Sequence, residues 1–177
     1  MKMVALVPVR AGSKRVPGKN TRQLDGKPLW FWSALAAYQS NVFSDVLVCS
    51  DQMEGCADAL LVGNVKTYLR EPVPDGQCDI EWVKPFLSWA TLPYEAFAIL
   101  RPTSPFRTAD TIRRAYAQFS RSEVHSLRAV ELCKYHPGKM WWHNGAGMPM
   151  TPVCDAKRSD GTPWHSSPTQ SLPDAYV

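Results

Sequence analysis

Arg10, Lys14, Arg15, Lys19 and Arg22 crowd into residues 10–22 together with Gly12, Ser13 and Gly18, and no carboxylate precedes Asp25. Glycine brings backbone N–H groups up to an anion with no side chain in the way. Arginine can fork onto two phosphate oxygens, and lysine adds a compact point charge. Such a set is suited to gripping a polyanion, and a nucleoside triphosphate is the compact polyanion that an α/β protein commonly meets. A charge run alone favours the reading of a solvated basic loop. The order strand, Gly, Ser, cations, Pro, Gly, Lys favours phosphate. The segment is not a P-loop, since five residues separate Gly12 from Gly18-Lys19 and Asn20 stands where a magnesium-binding Ser or Thr is needed. It contains no GxGxxG.

The elements that must carry this loop follow from the hydrophobic pattern. Met3–Val9 is a nearly continuous apolar run entering the Gly-containing loop, the signature of a buried parallel strand. Pro28 precedes an Ala-rich apolar stretch over 29–38 that reads as a helix. Further strands are expected at Asp45–Ser50, Val65–Leu69, Ala96–Leu100 and Ser126–Leu132. Helices are expected over 52–62, from Asp79 to about Ala90, and from Thr108 or Asp110 to about Phe119. Asp79 either caps its helix or faces the ligand, and Asp51 either caps a strand end or serves a metal. Alternating strands and helices at this spacing predict a parallel sheet covered on both faces. Ligands of such sheets sit beyond the carboxyl ends of the strands, where the loops 10–20 and 101–107 emerge.

Size and composition bound the rest. The chain has 177 residues and a formal net charge of +4, enough for one domain with an appendage. Residues 1–24 carry six cations (the five above plus Lys2) and no acid, so the charge is local rather than a coat for nucleic acid. The cations also lack the aromatic interleaving of an RNA-binding surface. The five cysteines, 49, 56, 78, 133 and 154, show no CxxC or zinc spacing and read as free thiols of a reducing cytoplasm. No leader pattern and no membrane-length apolar run is visible. Trp30 and Trp32 read as core or subunit contacts, and His136 and His165 lack metal spacing. From about residue 134 prolines and tryptophans accumulate, which suggests a loop-rich arm or lid. The expected domains are a nucleotide-binding α/β domain over 1–133 and an arm or sugar-side segment over 134–177.

The run Val7-Pro8-Val9-Arg10-Ala11-Gly12-Ser13-Lys14-Arg15-Val16-Pro17-Gly18-Lys19-Asn20 resembles the signature of the CMP-sugar, acylneuraminate-type cytidylyltransferases. Val9 replaces the usual Ala. Leu24-Asp25-Gly26-Lys27-Pro28-Leu29, Val48-Cys49-Ser50-Asp51, Leu100 to Thr108, His136-Pro137-Gly138-Lys139-Met140-Trp141 and Leu172 to Val177 are similar to later family segments, in family order. The resemblance implies a Rossmann-like αβα sandwich of the nucleotide-diphospho-sugar transferase type, with a mostly parallel sheet and a C-terminal dimerisation arm. It implies a cytoplasmic, magnesium-dependent nucleotidyltransferase that joins CTP to a sialic-acid-like sugar acid, with neither nucleic acid nor membrane as partner, acting as a homodimer.

On that resemblance Arg10 and Lys19 act on the triphosphate. Val9, Ala11, Gly12, Ser13 and Asn20 complete its cradle. Arg70 and Arg101 stand near the nucleotide, Thr103 and Ser104 shape the cytidine–sugar junction, and Lys139 reaches toward a sugar site. Arg101 replaces a common Gln, which bears on acceptor choice, and Thr169 stands where some sialic-acid enzymes have Arg. The family's metal-binding carboxylate pair lies beyond the equivalent of Val177, so the metal ligands are unknown. A truncated homologue that binds nucleotide or dimerises without turnover is the alternative.

Overall fold

The computed structural model describes residues 1–13, 16–52, 59–74, 77–90, 93–142, 144, 146, 148–167 and 169–176, the side chains of 60, 61 and 169 excepted. Lys14, Arg15, Cys56, most of the helix expected over 52–62 and the side chain of Thr169 lie outside the described residues. The chain divides into two compact units, Met1–His125 and Ser126–Val177.

The first unit is built on four parallel strands: β1 (Met3–Val9), β2 (Asp45–Ser50), β3 (Val65–Leu69) and β4 (Ala96–Ile99), in the order β3-β2-β1-β4. Helices α1 (Leu29–Ser40), α2 (Ile80–Trp89) and α3 (Ala109–Arg121) complete it. The period-two alternation of the buried strands feeds two cores. Ala5, Val7 and Val9 of β1 and Val46 and Val48 of β2 join Trp30, Phe31, Ala34, Ala37 and Ile112 on one face. Val4, Leu6, Leu47 and Cys49 join Trp82, Val83 and Phe86 of α2 on the other. Helices on both faces explain why β1 is apolar almost throughout.

Each helix shows why it sits where it does. α1 buries Trp30, Phe31, Ser33, Ala34, Ala36 and Ala37 around much of its circumference, so it lacks a polar stripe. It ends on Asn41 in the left-handed region, φ 56°, whose N–H returns to the Tyr38 carbonyl. α3 is capped by Thr108, whose Oγ1 accepts the Thr111 N–H at 3.2 Å. It buries only Ile112, and Asp110 pairs with Arg114 on its exposed side at 3.3 Å. α2 carries Pro85 in its interior.

The chain moves outward from β1 to β3, then crosses back to place β4 on the other side of β1. The strand order therefore reverses between β1 and β4, the crevice where open α/β sheets hold ligands. Both basic loops leave the sheet there, as expected.

Two sequence expectations are corrected. Ser126–Leu132 is not a strand; Leu132 makes only an isolated antiparallel bridge to Tyr176. Its apolar residues Leu127, Val130 and Leu132 are exposed, so apolar content without a pairing edge did not make a ladder. The described end of the 52–62 segment is a 3-10 turn, Ala59–Val62, rather than an α-helix.

The second unit is loop-rich. Trp141–Trp142 pairs antiparallel with Thr151–Pro152, and Lys157 bridges Pro163. Short 3-10 turns occupy Pro137–Lys139, Trp164–Ser166 and Thr169–Ser171.

Candidate functional site

The register of the sheet sets the geometry of the site. Val9 pairs with Ser50, and Ser50 pairs with Leu69. Arg10, Asp51 and Arg70 are therefore the first residues beyond three adjacent strands. A carboxylate is flanked by two guanidinium-bearing positions along one rim. On the other side of β1, Leu6 pairs with Ile99 and Leu100 N–H donates to the Leu6 carbonyl at 2.9 Å, bringing Arg101 out beside the same rim.

The loop after β1 is closed by its own residues. Asn20, only 7% exposed, donates Nδ2–H to the Arg10 carbonyl at 3.2 Å. Its own carbonyl accepts the Trp30 N–H at 3.1 Å, tying the loop to the first turn of α1. Gly18 adopts φ 62°, a left-handed conformation that permits the turn in which Thr21 and Arg22 N–H both reach the Gly18 carbonyl. Ala11 N–H is taken by Asp51 Oδ1 at 2.9 Å. Ser13 N–H folds back on the Ala11 carbonyl at 3.0 Å. Arg10, Ala11 and Gly12 are exposed, Ser13 and Lys19 half-buried, and Val9 belongs to the core. Asn20 thus ties the far end of the loop back to Arg10 at its start, with Lys19 next to it in the chain. The structure gives Asn20 and Asp51 the task of holding the loop in shape.

Arg70 is 8% exposed and donates Nη1–H to the Glu71 carbonyl at 3.0 Å, with its guanidinium carbon 5.5 Å from the centre of the Trp82 ring. It lines a cavity of about 310 Å³ that also involves Tyr68, Gln77, Glu81, Trp82 and Pro85. Arg101 is ion-paired with Asp79, and its carbonyl accepts Ser33 Oγ–H at 3.2 Å. Asp79 does not cap α2 with its side chain. Thr103 and Ser104 are exposed on the turn after β4, where Ser104 N–H reaches the Arg101 carbonyl. Arg107, further along that turn, has its pKa lowered by burial.

Lys139 lies in the second unit. Its Nζ donates to the carbonyls of His165 (3.0 Å) and Ser167. His136 Nδ1 accepts the Gly138 N–H and Nε2 lies 3.0 Å from the Pro173 carbonyl, so this ring also serves the local fold. Sequence reading did not single out Trp82 or Ser33 for a part in the site. Both act through chain-distant partners, and no local spacing signals that.

Among the described residues no three or more His, Cys, Asp or Glu side chains gather to hold a metal. Asp51 lies against the loop and spends one oxygen on Ala11. None of the described helices is long and apolar enough to cross a membrane.

A parallel sheet between helices, with a Gly-containing basic loop at the strand-order reversal, is a doubly wound α/β architecture. Solved structures agree on the fold. CMP:2-keto-3-deoxy-manno-octonic acid synthetase complexed with CTP superposes with a TM-score of 0.59 at 19% identity, over 68% of this chain and 48% of that one. Rv0371c of Mycobacterium tuberculosis in complex with manganese gives 0.50 at 12%, over 76% and 65%. Residues 4–77 match the model of the Cytidylyltransferase family. The CMP-N,N'-diacetyllegionaminic acid synthase of Legionella pneumophila is 34% identical over 77% of this chain and 59% of its own length. The N-acylneuraminate cytidylyltransferase of Escherichia coli O18:K1:H7 is 37% identical over 70% of this chain and 30% of its own length. Over residues 4–77 the chain is similar to the cytidylyltransferase family, and it spans little more than half, or less, of these relatives' own length.

Proposed function

We propose that the chain carries out, or forms the nucleotide-binding part of, cytidylyl transfer from CTP to a sialic-acid-like sugar acid. A sugar hydroxyl oxygen forms a bond to the α-phosphorus, the bond from that phosphorus to the bridging oxygen breaks, and pyrophosphate leaves. The hydroxyl proton passes to solvent. The observation that carries the reading is the shaped basic loop, Arg10 to Asn20, at the reversal between β1 and β4. In-line displacement at phosphorus depends on positioning and on charge stabilisation of the leaving group rather than on a covalent nucleophile.

In this reading Arg10 and Lys19 hold the triphosphate, and Val9, Ala11, Gly12, Ser13 and Asn20 shape its cradle. Arg70 and Arg101 face the nucleotide, and Thr103 and Ser104 lie at the junction with the sugar. Lys139 would serve the sugar side, with residues 134–177 as the arm of a cytoplasmic homodimer and 1–133 as the nucleotide domain. The named relatives act on legionaminic and N-acylneuraminic acids, which supports an acidic sugar as acceptor.

A divalent cation, magnesium or another, commonly neutralises charge in such reactions, and a related fold carries manganese. The described side chains do not make a cage for one: Asp51 is engaged, Asp79 is ion-paired, and no cluster forms. The alternative is a nucleotide-binding homologue without turnover.

The test is pyrophosphate release with CTP, Mg²⁺ or Mn²⁺ and a panel of sugar acids, beside calorimetric titration of CTP. Turnover supports transfer. CTP binding with no turnover supports the second reading, and a chain that ignores CTP refutes both.

A further inference from the structure

Arg70 and Arg101 leave different strands on opposite sides of β1, yet one carboxylate serves both. Asp79, the residue before α2, is ion-paired with Arg101 through Oδ2, and its Oδ1 accepts the Trp82 indole N–H at 3.2 Å. The ring so fixed is the one beside which the Arg70 guanidinium lies, at 5.5 Å. From the other face of the sheet, the fully buried Ser33 holds the Arg101 carbonyl. Arg70 Nε is buried and finds no hydrogen-bond partner among the described residues. A buried guanidinium N–H left unmet is costly, and such a group is commonly completed by a ligand or water.

We propose that Asp79 is a positioning residue: a single carboxylate that fixes Arg101 directly and Arg70 through Trp82, setting two guanidinium groups toward one anionic ligand. The Arg101 pair is too exposed, with 60% of its side chain open, to matter much for stability. Its value is orientation. Trp82 is the coupling element, because its N–H is spent on Asp79 while its ring carries the cation contact. The linkage is a property of the chain itself. Only the identity of the ligand rests on the nucleotide reading.

The experiment reads side-chain resonances of the full ¹⁵N-labelled chain: Nε–H of Arg70 and Arg101 and the indole N–H of Trp82, assigned with Arg70→Lys, Arg101→Lys and Trp82→Phe. Asp79→Ala is expected to move all three. Asp79→Asn keeps an acceptor for the indole, so it is expected to move Arg101 while leaving Trp82 and Arg70 close to their wild-type positions. Trp82→Phe should move Arg70 alone of the two arginines. In a folded Asp79→Ala chain, judged by its backbone amides, CTP affinity should fall about ten-fold, the effect of one lost charge-assisted contact. If Asp79→Ala leaves Arg70 unmoved, or if Asp79→Asn moves all three groups alike, the positioning role is overturned whatever CTP does. If the resonances respond as stated but the wild-type chain ignores CTP, the linkage stands and the nucleotide reading falls.

Discussion

Oδ1 of Asp51 accepts the backbone N–H of Ala11 at 2.9 Å, joining the end of β2 to the second residue of the loop that follows β1. The bond places a negative group beside a loop rich in positive ones and keeps the loop's entry fixed. Replacing Asp51 with Ala leaves that amide to solvent and lowers stability by about 1 kcal/mol. Asp51→Asn retains an oxygen acceptor and recovers most of the loss. Urea denaturation of the two variants checks this.

Arg10 and Lys19 are expected to dominate affinity for the triphosphate. Each alanine variant should lower any transfer rate on the order of 10²–10³-fold, the range for one preorganised donor. The double variant should abolish calorimetric binding of CTP while its circular dichroism stays that of the wild type. Undiminished affinity in the double variant refutes the assignment.

Gly18 holds φ 62°, and a Cβ there would meet Thr21 Oγ1 at only 3.5 Å, so space is not the obstacle. Backbone strain is. Gly18→Val should destabilise by about 1–2 kcal/mol, the left-handed penalty for a residue with Cβ, and weaken CTP binding by loosening the turn ahead of Lys19. Thermal unfolding with and without CTP measures both effects.

The amino end of the sheet carries a pH-sensitive contact far along the strands from the loop. Tyr94 OH donates to Asp45 Oδ2 at 2.8 Å, and Lys66 Nζ donates to Asp45 Oδ1. Burial pushes the Tyr94 hydroxyl up, and the Asp45 carboxylate pushes it further, to about 12. Burial alone would raise Asp45, but the bonds from Lys66 and Tyr94 outweigh it and hold the carboxyl below its ordinary 3.8. A raised tyrosine value favours the folded state below pH 10 and loses that advantage between about pH 10 and 12. A lowered carboxyl value favours the folded state above about pH 4 and loses it as pH falls below that. Chemical denaturation across pH should show both declines. Burial raises Tyr68 as well, so Tyr94→Phe should shrink the alkaline decline rather than abolish it.

Lys139 offers a test between two uses of one ammonium. Its bonds to the His165 and Ser167 carbonyls knit the second unit. Lys139→Met should therefore raise hydrogen exchange at amides 164–167, even with no sugar present. A change in sugar-acid affinity with unaltered exchange would instead assign the ammonium to the ligand.

Much of the fold was legible because it is written in local pattern. β1, β2 and β3 are apolar runs bounded by polar or breaking residues, and their observed ends coincide with the expected ones. Thr108 was one of two expected starts of α3, and it is the residue that caps the helix. The Gly-containing basic loop stood out for the same reason. What stayed hidden depends on partners far along the chain. Asp79 read as a helix cap or a ligand contact because both roles are local. Its bond to Arg101 exists only once β4 lies beside β1. Ser126–Leu132 carried strand-like residues, but a strand also needs an edge to pair with, and composition does not supply one.

Pro85, inside α2, has no N–H, so the Glu81 carbonyl one turn earlier cannot receive the bond a helix would normally give it. Both residues border the cavity beside Arg70. A residue on the cavity wall thereby carries a main-chain carbonyl released from the ordinary helical ladder by the residue four positions on. Editing the side chain at 81 leaves that oxygen in place; only exchanging the imino acid four positions on would return it to the helix.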